Sequence, residues 1–353
     1  MYRKSKTYCE DLENAFEGIV APEKLFQKSI LVTGATGLIG SFLVDLLLYM
    51  NCKKNAHIKI YALGRDENRL KRRFISGLDD ANLNFIVQDV IGPLRMCEPV
   101  DYIIHAAGDG YPSAFREHPV EVMTPALFGT YELLEYARKN GTVRFLYISS
   151  GEVYGKMLGK EHAFTEKEVG ELDSMDVRSC YPMAKRCAET LCASYYAQYK
   201  VQTVVARLSH TYGACTSNND NRATVQFLGN AMRGEDIVLH SEGRQMRSYT
   251  YVADCVSAVL TILVNGNSGE AYNVANAMSR VTIAQFARLL AEIAGVKCRK
   301  VLPDEPKRKE LTPIEYAVLD SAKLEALGWS GRYGVEAGIR SMYGSENGGK
   351  GVK

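Results

Sequence analysis

The sequence predicts an α/β protein, a Rossmann-type doubly wound parallel sheet joined to a smaller C-terminal α/β domain. Short apolar runs recur along the first 210 residues, helical patterns separate them, and the first run leads directly into a glycine-rich turn. Strands that helices cover on both faces are apolar throughout, and strands that alternate with helices form a parallel sheet. These observations together predict the fold class.

Six apolar runs precede residue 210, which fits the strand count of a dinucleotide-binding sheet. In order, they are SILVTG, IKIYALG, LNFIVQD, DYIIHAA, RFLYISS and VQTVVARLS. After Arg207 the rhythm breaks into the polar, turn-rich stretch HTYGACTSNNDNRA, followed by a predicted helix. The helix ADCVSAVLTILV and the strand EAYNVAN are predicted to return to the sheet.

We therefore predict four parts of the chain. They are an N-terminal extension with a helical pattern (1–28), a dinucleotide-binding domain (29–207 and 251–277), a substrate-binding domain (208–250 and 278–344) and a disordered tail (345–353). The tail is assigned on its glycine-rich, polar composition.

Composition excludes several classes of function. The chain is 46% hydrophobic and 24% charged with a net charge of +2, which gives no reason to expect nucleic-acid or membrane-surface binding. Its nine cysteines include no CxxC pair and no Cys/His cluster at zinc spacing, so no metal site is expected. No apolar stretch approaches the ~20 residues of a membrane span, and reduced thiols suit the cytoplasm.

A glycine-rich turn follows the first predicted strand. Gly34, Gly37 and Gly40 stand in the spacing GxxGxxG between that strand and a helix. Such glycines allow a tight turn, a close approach of the backbone to a pyrophosphate, and close packing of helix on strand. The alternative is a purely structural turn. The intervening residues assigned to the same dinucleotide site are Thr36, Leu38 and Ile39.

The end of the second strand bears on the choice between NAD and NADP. An acidic residue there usually holds the adenosine ribose, but this strand ends in Gly64 and Arg65, with Asp66 only after them. Arg65 would welcome a 2′-phosphate, which favours NADP without excluding NAD. The alternative is that Arg65 is a solvated surface residue.

Two further strand ends are expected at the cofactor. Asp89, followed by Val90, is expected to meet the adenine amino group, with a strand-end turn as the alternative. Ala106 and Ala107 are small enough to let the backbone approach the cofactor. His105, just before them, is interpreted as a buried, hydrogen-bonded histidine.

A tyrosine and a lysine stand four residues apart on one helical face. Tyr181 and Lys185 share that face of a helix that Pro182 helps to start. A phenol is a poor base because its pKa is ~10, and we expect the nearby ammonium to lower the pKa of Tyr181. The alternative is a packed tyrosine beside a snorkelling lysine.

Several motifs resemble one enzyme family in order and spacing. They are TGATGLIG, HAAG, ISSGEVYG, YPMAK, ARLSHTYG and RSYTYVADC, and the resemblance runs from about Ser29 to about Gly334. The family is the extended short-chain dehydrogenases/reductases of the NAD-dependent epimerase/dehydratase type, which remodel nucleotide sugars. The resemblance implies that Ser150 binds the sugar 4-hydroxyl with Tyr181 and that Glu152 faces C5 and C6.

The resemblance also bears on the reaction. The 4,6-dehydratases carry an aspartate where this chain has Gly151, so dehydration is disfavoured. The pattern is most similar to that of UDP-glucuronate decarboxylases, which implies that Arg222 and Arg247 hold the substrate diphosphate or a sugar carboxylate. Three positions depart from those enzymes, namely His210, Cys215 and Asn221. His210 is expected either to contact the ligand or to stabilise a turn.

Other interpretations stay open at this point. A 4-epimerase tolerates Gly151, Arg65 leaves an NADP-dependent 4-ketoreductase possible, and a non-catalytic nucleotide-sensing scaffold is a remote alternative. The resemblance implies further substrate contacts in the loop after the fourth strand. Their candidates are Tyr111, Ser113 and Arg116. It also implies a homodimer formed through the helices TYELLEYARK and AETLCASYYAQY.

Overall fold

The structure is a computed structural model that describes residues 5–96, 98–214, 220–301 and 314–347. Its strands are β1 (Ser29–Thr33), β2 (Lys59–Gly64), β3 (Leu83–Val87), β4 (Tyr102–His105), β5 (Arg144–Ser150), β6 (Thr203–Leu208), β7 (His210–Tyr212), β8 (Ile237–Leu239), β9 (Met246–Tyr251), β10 (Glu270–Val274), β11 (Arg280–Thr282), β12 (Cys298–Lys300) and β13 (Tyr316–Ala317). Its helices are α1 (Lys6–Glu17), α2 (Leu38–Lys54), α3 (Glu67–Arg73), α4 (Pro112–Glu117), α5 (Pro119–Thr124), α6 (Thr130–Asn140), α7 (Cys180–Tyr199), α8 (Ala223–Met232), α9 (Val252–Asn265), α10 (Ile283–Ala294), α11 (Ala322–Glu325) and α12 (Val335–Glu346).

Seven parallel strands form the main sheet in the order β10-β6-β5-β4-β1-β2-β3. All six strands predicted before residue 210 are present, and β10 joins them as expected. The chain reverses direction across the sheet between β1 and β4, which is the switch point where such sheets bind ligands. The predicted Rossmann-type fold is confirmed.

The central strands are apolar because both of their faces are covered. β1 and β4 bury nearly every side chain, and one apolar cluster lies on each side of the sheet. Helices α2 and α9 pack together on one side, whereas α6 and α7 pack together on the other. The carboxyl ends of the strands are left free to carry polar groups.

The smaller sheets lie in the C-terminal part of the chain. β9 pairs with β7, β11 and β13, while β8 pairs with β12. Strand β7 was not predicted, because its sequence HTY opens a stretch that reads as polar and turn-rich. Sequence periodicity gives little signal for a strand of three residues. The predicted domain boundaries stay a prediction.

Both ends of the described chain are helical. The predicted N-terminal extension contains α1, and α1 packs against α2, α9 and α12. Helix α12 continues through Glu346, so the first two residues of the predicted disordered tail, Ser345 and Glu346, are helical and Ser345 is buried. Residues 348–353 of that tail lie outside the described residues. None of the described helices is long and apolar enough to cross a membrane.

Candidate active site

The glycine turn between β1 and α2 has the geometry that a dinucleotide phosphate requires. Gly34 has φ +64°, and a Cβ at this position would lie 2.6 Å from the Ala106 carbonyl oxygen. A Cβ at Gly40 would lie 2.3 Å from the carbonyl oxygen of Gly34. Both residues must therefore be glycine for the turn to close and for α2 to approach β1.

The N-terminus of α2 is free to bind an anion. Gly37 is its N-cap residue, and no described side chain caps the helix there. The first N–H groups of a helix have no partner within the helix and carry partial positive charge. The amides of Leu38 and Ile39 belong to this first turn. These residues fit the pyrophosphate of NAD or NADP.

Thr33 organises the neighbouring strand end. Its Oγ1 lies 2.8 Å from His105 Nδ1 and accepts hydrogen bonds from the amides of Ala106 and Ala107, each at 3.2 Å. His105 Nε2 lies 3.2 Å from the Pro125 carbonyl oxygen. Burial, and then the charge of Lys185, lowers the pKa of His105 to about 3, so the ring is neutral. His105 is the buried, hydrogen-bonded residue that the sequence predicted.

Asp89, expected near the adenine, and Asp66, beside Arg65, have local roles in the structure. Asp66 caps α3 by accepting a hydrogen bond from the Arg69 amide at 3.0 Å. Asp89 is exposed and accepts one from the Ile91 amide at 3.2 Å. Arg65 is exposed at the end of β2. The adenine contact of Asp89 and a 2′-phosphate contact of Arg65 stay predictions.

Val90, the remaining cofactor candidate, lies under the segment before α6. It is buried, and a Cβ added at Gly129 would approach its Cγ1 to 2.9 Å. Residues Pro125–Gly129 form a π-helical turn, which brings Gly129 close to Val90 and directs the Pro125 carbonyl oxygen at His105. Val90 therefore shapes this side of the cleft by packing.

Tyr181, Ser150 and Lys185 come together at the carboxyl end of β5. Tyr181 lies in the first turn of α7, and Ser150 is close enough to its hydroxyl to act on the pKa of Tyr181. Lys185, one turn later, donates a hydrogen bond from Nζ to the Ile148 carbonyl oxygen at 2.7 Å. Its Nζ lies 5.7 Å from the centre of the Tyr181 ring and 4.7 Å from that of Tyr147. The structure thus brings together the predicted base, its hydroxyl partner and the lysine.

The expected lowering of the Tyr181 pKa by Lys185 is not found. Desolvation, and then the charge of Glu152, raises the pKa of Tyr181 to about 12, although Ser150 and two arginines act in the opposite direction. Burial also lowers the pKa of Lys185 to about 8. The prediction was wrong because sequence spacing gives the proximity of two groups but not the desolvation that both undergo in the fold.

Ser149, next to the candidate site residue Ser150, has a structural role. It donates a hydrogen bond to Glu189 at 2.5 Å, and Glu189 also pairs with Arg207 at 2.7 Å. This network joins β5, β6 and α7.

Glu152 is held by an arginine that sequence reasoning missed. Arg178 Nη2 donates to both carboxylate oxygens of Glu152, at 2.9 and 3.1 Å. The guanidinium carbon of Arg178 also lies 4.7 Å from the centre of the Phe115 ring. Phe115 in turn stacks on Tyr181, with 4.7 Å between the ring centres. The only signal that the sequence offered for Arg178 was that it lies three residues before Tyr181.

A side chain at Gly151, between Ser150 and Glu152, would press against Leu319. A Cβ at Gly151 would lie 3.1 Å and 3.2 Å from the two terminal methyl carbons of Leu319. Leu319 is itself buried, and its amide donates a hydrogen bond to Ser248. The dehydratase aspartate is thus absent, and its position is covered by Leu319.

The predicted substrate arginines lie on the C-terminal side of the cleft. Arg222 forms an ion pair with Asp220 at 2.6 Å and donates to the Thr211 carbonyl oxygen at 3.2 Å. Arg247 is buried and donates to the backbone carbonyls of residues 246, 314 and 315. Both guanidinium groups therefore already have protein partners. Any contact with a diphosphate or a carboxylate stays a prediction.

His210 lies between these cations at the start of β7. The residue is exposed, although many protein atoms surround its ring. Desolvation by these atoms, and then the charges of Arg247 and Arg222, lowers the pKa of His210. The ring also lies 5.9 Å from that of Tyr249. A neutral imidazole is therefore presented at the site.

The loop after β4 reaches the same side of the cleft. Tyr111 precedes α4, the Ser113 amide donates to the Asn221 side chain at 3.3 Å, and Arg116 is exposed in α4. Asn221, one of the departures from the decarboxylase pattern, thus connects this loop to the substrate side. Cys215 lies outside the described residues.

Among the described residues, no group of three or more His, Cys, Asp or Glu side chains is arranged to hold a metal ion.

Comparison with known proteins identifies the family. The family model described as "NAD dependent epimerase/dehydratase family" matches residues 30–275. UDP-glucuronic acid decarboxylase 1 of Xenopus tropicalis is 31% identical over 338 residues, which cover 94% of this chain and 76% of that protein. UDP-glucuronic acid decarboxylase 6 of Arabidopsis thaliana is 32% identical over 327 residues, or 90% of this chain and 89% of that protein.

Solved structures share the fold. The UDP-glucuronic acid 4-epimerase from Bacillus cereus, in complex with UDP-glucuronic acid and NAD, has a TM-score of 0.76 at 22% identity and covers 90% of this chain and 99% of its own. The dTDP-glucose 4,6-dehydratase DesIV from Streptomyces venezuelae has a TM-score of 0.77 at 22% identity. The match covers 90% of this chain and 97% of the DesIV chain. The family match over residues 30–275 includes the glycine turn before α2 and the tyrosine and lysine of α7. The chain belongs to the NAD-dependent epimerase/dehydratase family, as its motifs predicted.

Proposed function

We propose that this protein is an NAD-dependent decarboxylase of UDP-glucuronate. The broader class is established, since the family and the curated relatives are those of enzymes that modify nucleotide sugars with NAD. The observation that carries the narrower proposal is the set of cations around the reacting groups. Arg178 pairs with Glu152, Arg222 lies close enough to influence Tyr181, and Arg247 influences His210. A substrate with both a diphosphate and a carboxylate suits such a site.

The first step is oxidation of the sugar at C4. Tyr181 accepts the proton of the 4-hydroxyl group, while Ser150 holds the same oxygen through a hydrogen bond. Bound NAD⁺ would supply the hydride acceptor for C4 in this step and the hydride donor in the last one. Lys185 stays fixed by the Ile148 carbonyl oxygen, so its charge remains next to the base. Gly34, Gly37 and Gly40 are the backbone positions that would hold the cofactor.

The second step is loss of the carboxylate. A ketone at C4 makes the C6 carboxylate part of a β-keto acid, so the C5–C6 bond breaks and carbon dioxide leaves. The electron pair moves into the C5–C4–O4 system, where Ser150 and the protonated Tyr181 donate hydrogen bonds to the oxygen. A proton then adds to C5, and reduction of the C4 ketone by the hydride that the cofactor would hold completes a UDP-pentose. Dehydration is disfavoured because Gly151 supplies no acid and Leu319 covers its position.

The test is the mass of the product. We expect purified protein with NAD⁺ to convert UDP-glucuronate into a UDP-pentose with release of one carbon dioxide, and to leave UDP-glucose and UDP-galactose without loss of mass. An isomer of UDP-glucuronate with unchanged mass would contradict the proposal and establish a 4-epimerase. Loss of water from a neutral sugar would make the protein a dehydratase.

We propose NAD rather than NADP as the cofactor. Arg65 is exposed and Asp66 is engaged as a helix cap, so neither side chain is held in place to select a 2′-phosphate. The family description and the bound NAD in the Bacillus cereus epimerase support this choice. We expect Arg65→Ala to leave the affinity for NAD⁺ within about threefold, as calorimetry would measure. The choice would be reversed if the wild type bound NADP⁺ more tightly than NAD⁺ and Arg65→Ala greatly lowered the affinity for NADP⁺ alone.

We also propose a homodimer formed through α6 and α7, in the cytoplasm. Large apolar side chains on and beside these helices are exposed, namely Phe128 at 55%, Tyr131 at 46% and Tyr199 at 46%. An isologous contact would cover them. We expect Phe128→Asp to convert a dimer to a monomer by light scattering. Val169→Asp, at a residue 74% exposed outside the helices, is the control.

A further inference from the structure

Arg178 and Tyr181 are brought to one face by the start of α7. Arg178 lies in the 3₁₀ turn Val177–Ser179, which Asp176 caps by accepting a hydrogen bond from the Arg178 amide at 2.9 Å. Side chains three residues apart on a helical turn are neighbours. Arg178 and Tyr181 therefore reach the same side of the cleft.

Phe115 connects the two side chains. Its ring is 1% exposed and stacks on Tyr181 at 21° between the ring planes, while Arg178 covers it at 4.7 Å. Cys180 donates from Sγ to the Phe115 carbonyl oxygen at 3.7 Å, which ties α4 to α7. Stacked rings and cation–π contacts are both attractive and favour a defined ring orientation. The orientation of the Tyr181 ring thus depends on Phe115, and that of Phe115 on Arg178.

The same guanidinium group restrains Glu152. Both side chains of this ion pair are largely buried, with 26% of Arg178 and 22% of Glu152 exposed. The Glu152 amide donates a hydrogen bond to Ser150 Oγ at 3.2 Å, so the ion pair lies beside the serine that acts on Tyr181. The charges act in opposite directions, since Glu152 raises the pKa of Tyr181 and Arg178 lowers it. Other charged groups that act on Tyr181 include Arg222.

We propose that Arg178 is a positioning residue for the oxidation at C4. It holds Glu152 through the ion pair and the Tyr181 ring through Phe115, so that the base and the carboxylate meet the sugar in one fixed arrangement. The inference rests on the proposed function only in that Tyr181 is the base at C4, a step that decarboxylation and 4-epimerisation share. It explains why an arginine stands three residues before the tyrosine.

The kinetic test compares five proteins loaded with NAD⁺. They are wild type, R178M, R178K, E152Q/R178M and the control R340M, which removes an exposed Arg–Glu ion pair in α12. We expect R178M to lower kcat roughly 100-fold, as misplaced reacting groups do, and to move the acidic limb of the kcat profile to higher pH. R178K keeps the charge but loses the planar guanidinium group that covers Phe115, so its kcat should be intermediate and the acidic limb of its profile should lie near that of wild type.

The double variant separates charge from packing. In E152Q/R178M the uncompensated carboxylate is gone, so the acidic limb should return towards its wild-type position although kcat stays low. R340M should match wild type. A wild-type kcat and pH profile in R178M would overturn the proposal, as would a limb that stays displaced in the double variant.

A structural readout is independent of the substrate. In a crystal structure of NAD-bound R178M, we expect Glu152 to leave the position it holds beside Arg178 and the Tyr181 ring to tilt away from Phe115. Unchanged positions of both side chains would overturn the proposal. If the wild type epimerises UDP-glucuronate instead of decarboxylating it, the proposed function fails. The same kinetic series is then run on the epimerisation, and it still decides the role of Arg178.

Discussion

Two carboxylates in this molecule are held in opposite ways. Glu152, in the active site, is paired with the guanidinium group of Arg178 and is 22% exposed. Asp11, in α1, is 1% exposed and is surrounded by hydroxyl groups. Tyr251 and Tyr333 donate to it at 2.6 and 2.8 Å.

The hydroxyl cluster around Asp11 joins distant parts of the chain. Besides the two tyrosines, Ser341 donates at 2.6 Å and Ser345 at 3.4 Å, both from α12. Tyr251 ends β9, the strand that carries Arg247. One carboxylate therefore fastens the N-terminal helix to the end of the chain and to a substrate-side strand.

The difference separates two uses of a buried carboxylate. A carboxylate paired with a cation keeps its charge and acts on nearby titrating groups, as Glu152 acts on Tyr181. A carboxylate that accepts only from neutral hydroxyls satisfies buried donors, at the cost of desolvating its own charge. We therefore expect changes in the active-site cluster to alter rate, and changes at Asp11 to alter stability.

The largest effect should follow loss of the Tyr181 hydroxyl. We expect Tyr181→Phe to lower kcat by about 10²–10⁴-fold, because the base is lost, and to leave the affinity for NAD⁺ and the melting temperature close to wild type. Initial rates, calorimetry and thermal denaturation measure the three quantities. Tyr199→Phe, an exposed tyrosine at the far end of α7, is the control. Turnover retained without the hydroxyl would remove Tyr181 from the base role.

The next effect should be on stability. Asp11→Ala leaves the hydroxyls of Tyr251, Tyr333 and Ser341 without their acceptor, so we expect a loss of about 3 kcal/mol in the free energy of unfolding. Glu10→Ala, at an exposed neighbour in the same helix, should change it by less than about 0.5 kcal/mol. Urea denaturation measures both. Equal stability of the two variants would contradict the structural role of Asp11. So would a lower turnover per folded molecule in Asp11→Ala.

The nucleotide-binding half was predicted well because local signals specify it. Each strand from β1 to β6 is an apolar run bounded by turn residues, and the glycine spacing of Gly34, Gly37 and Gly40 has one structural solution. The juxtaposition of Ser150 with Tyr181 was implied by the resemblance to the family, and the strand-end position of Ser150 agrees with the edge of the sheet where such folds bind ligands.

The rest depends on contacts between segments far apart in the chain. Nothing near Gly151 in the sequence shows that Leu319 covers it, and the stacking of Phe115 on Tyr181 joins two different helices. The raised pKa of Tyr181 arises from burial, which a motif does not encode. The N-terminal extension had a helical pattern, but its role appears only when Asp11 meets Tyr333 and Ser341.

The smallest expected effect is the pH dependence that Asp11 gives to stability. Desolvation raises the pKa of Asp11 above its ordinary value, and the four hydroxyl hydrogen bonds only partly offset this. The folded state therefore binds the proton more tightly than the unfolded state does, so stability falls as pH rises from about 4 through the folded pKa, and levels off above it. For one proton the slope cannot exceed about 1.4 kcal/mol per pH unit.

Asp11→Asn isolates this contribution. Subtracting the unfolding free energy of the variant from that of wild type at each pH removes the titration of all the other groups. We expect the difference to decrease with pH across that window and then to stay flat. A difference that increases with pH would mean that the hydroxyls stabilise the Asp11 carboxylate more than burial destabilises it.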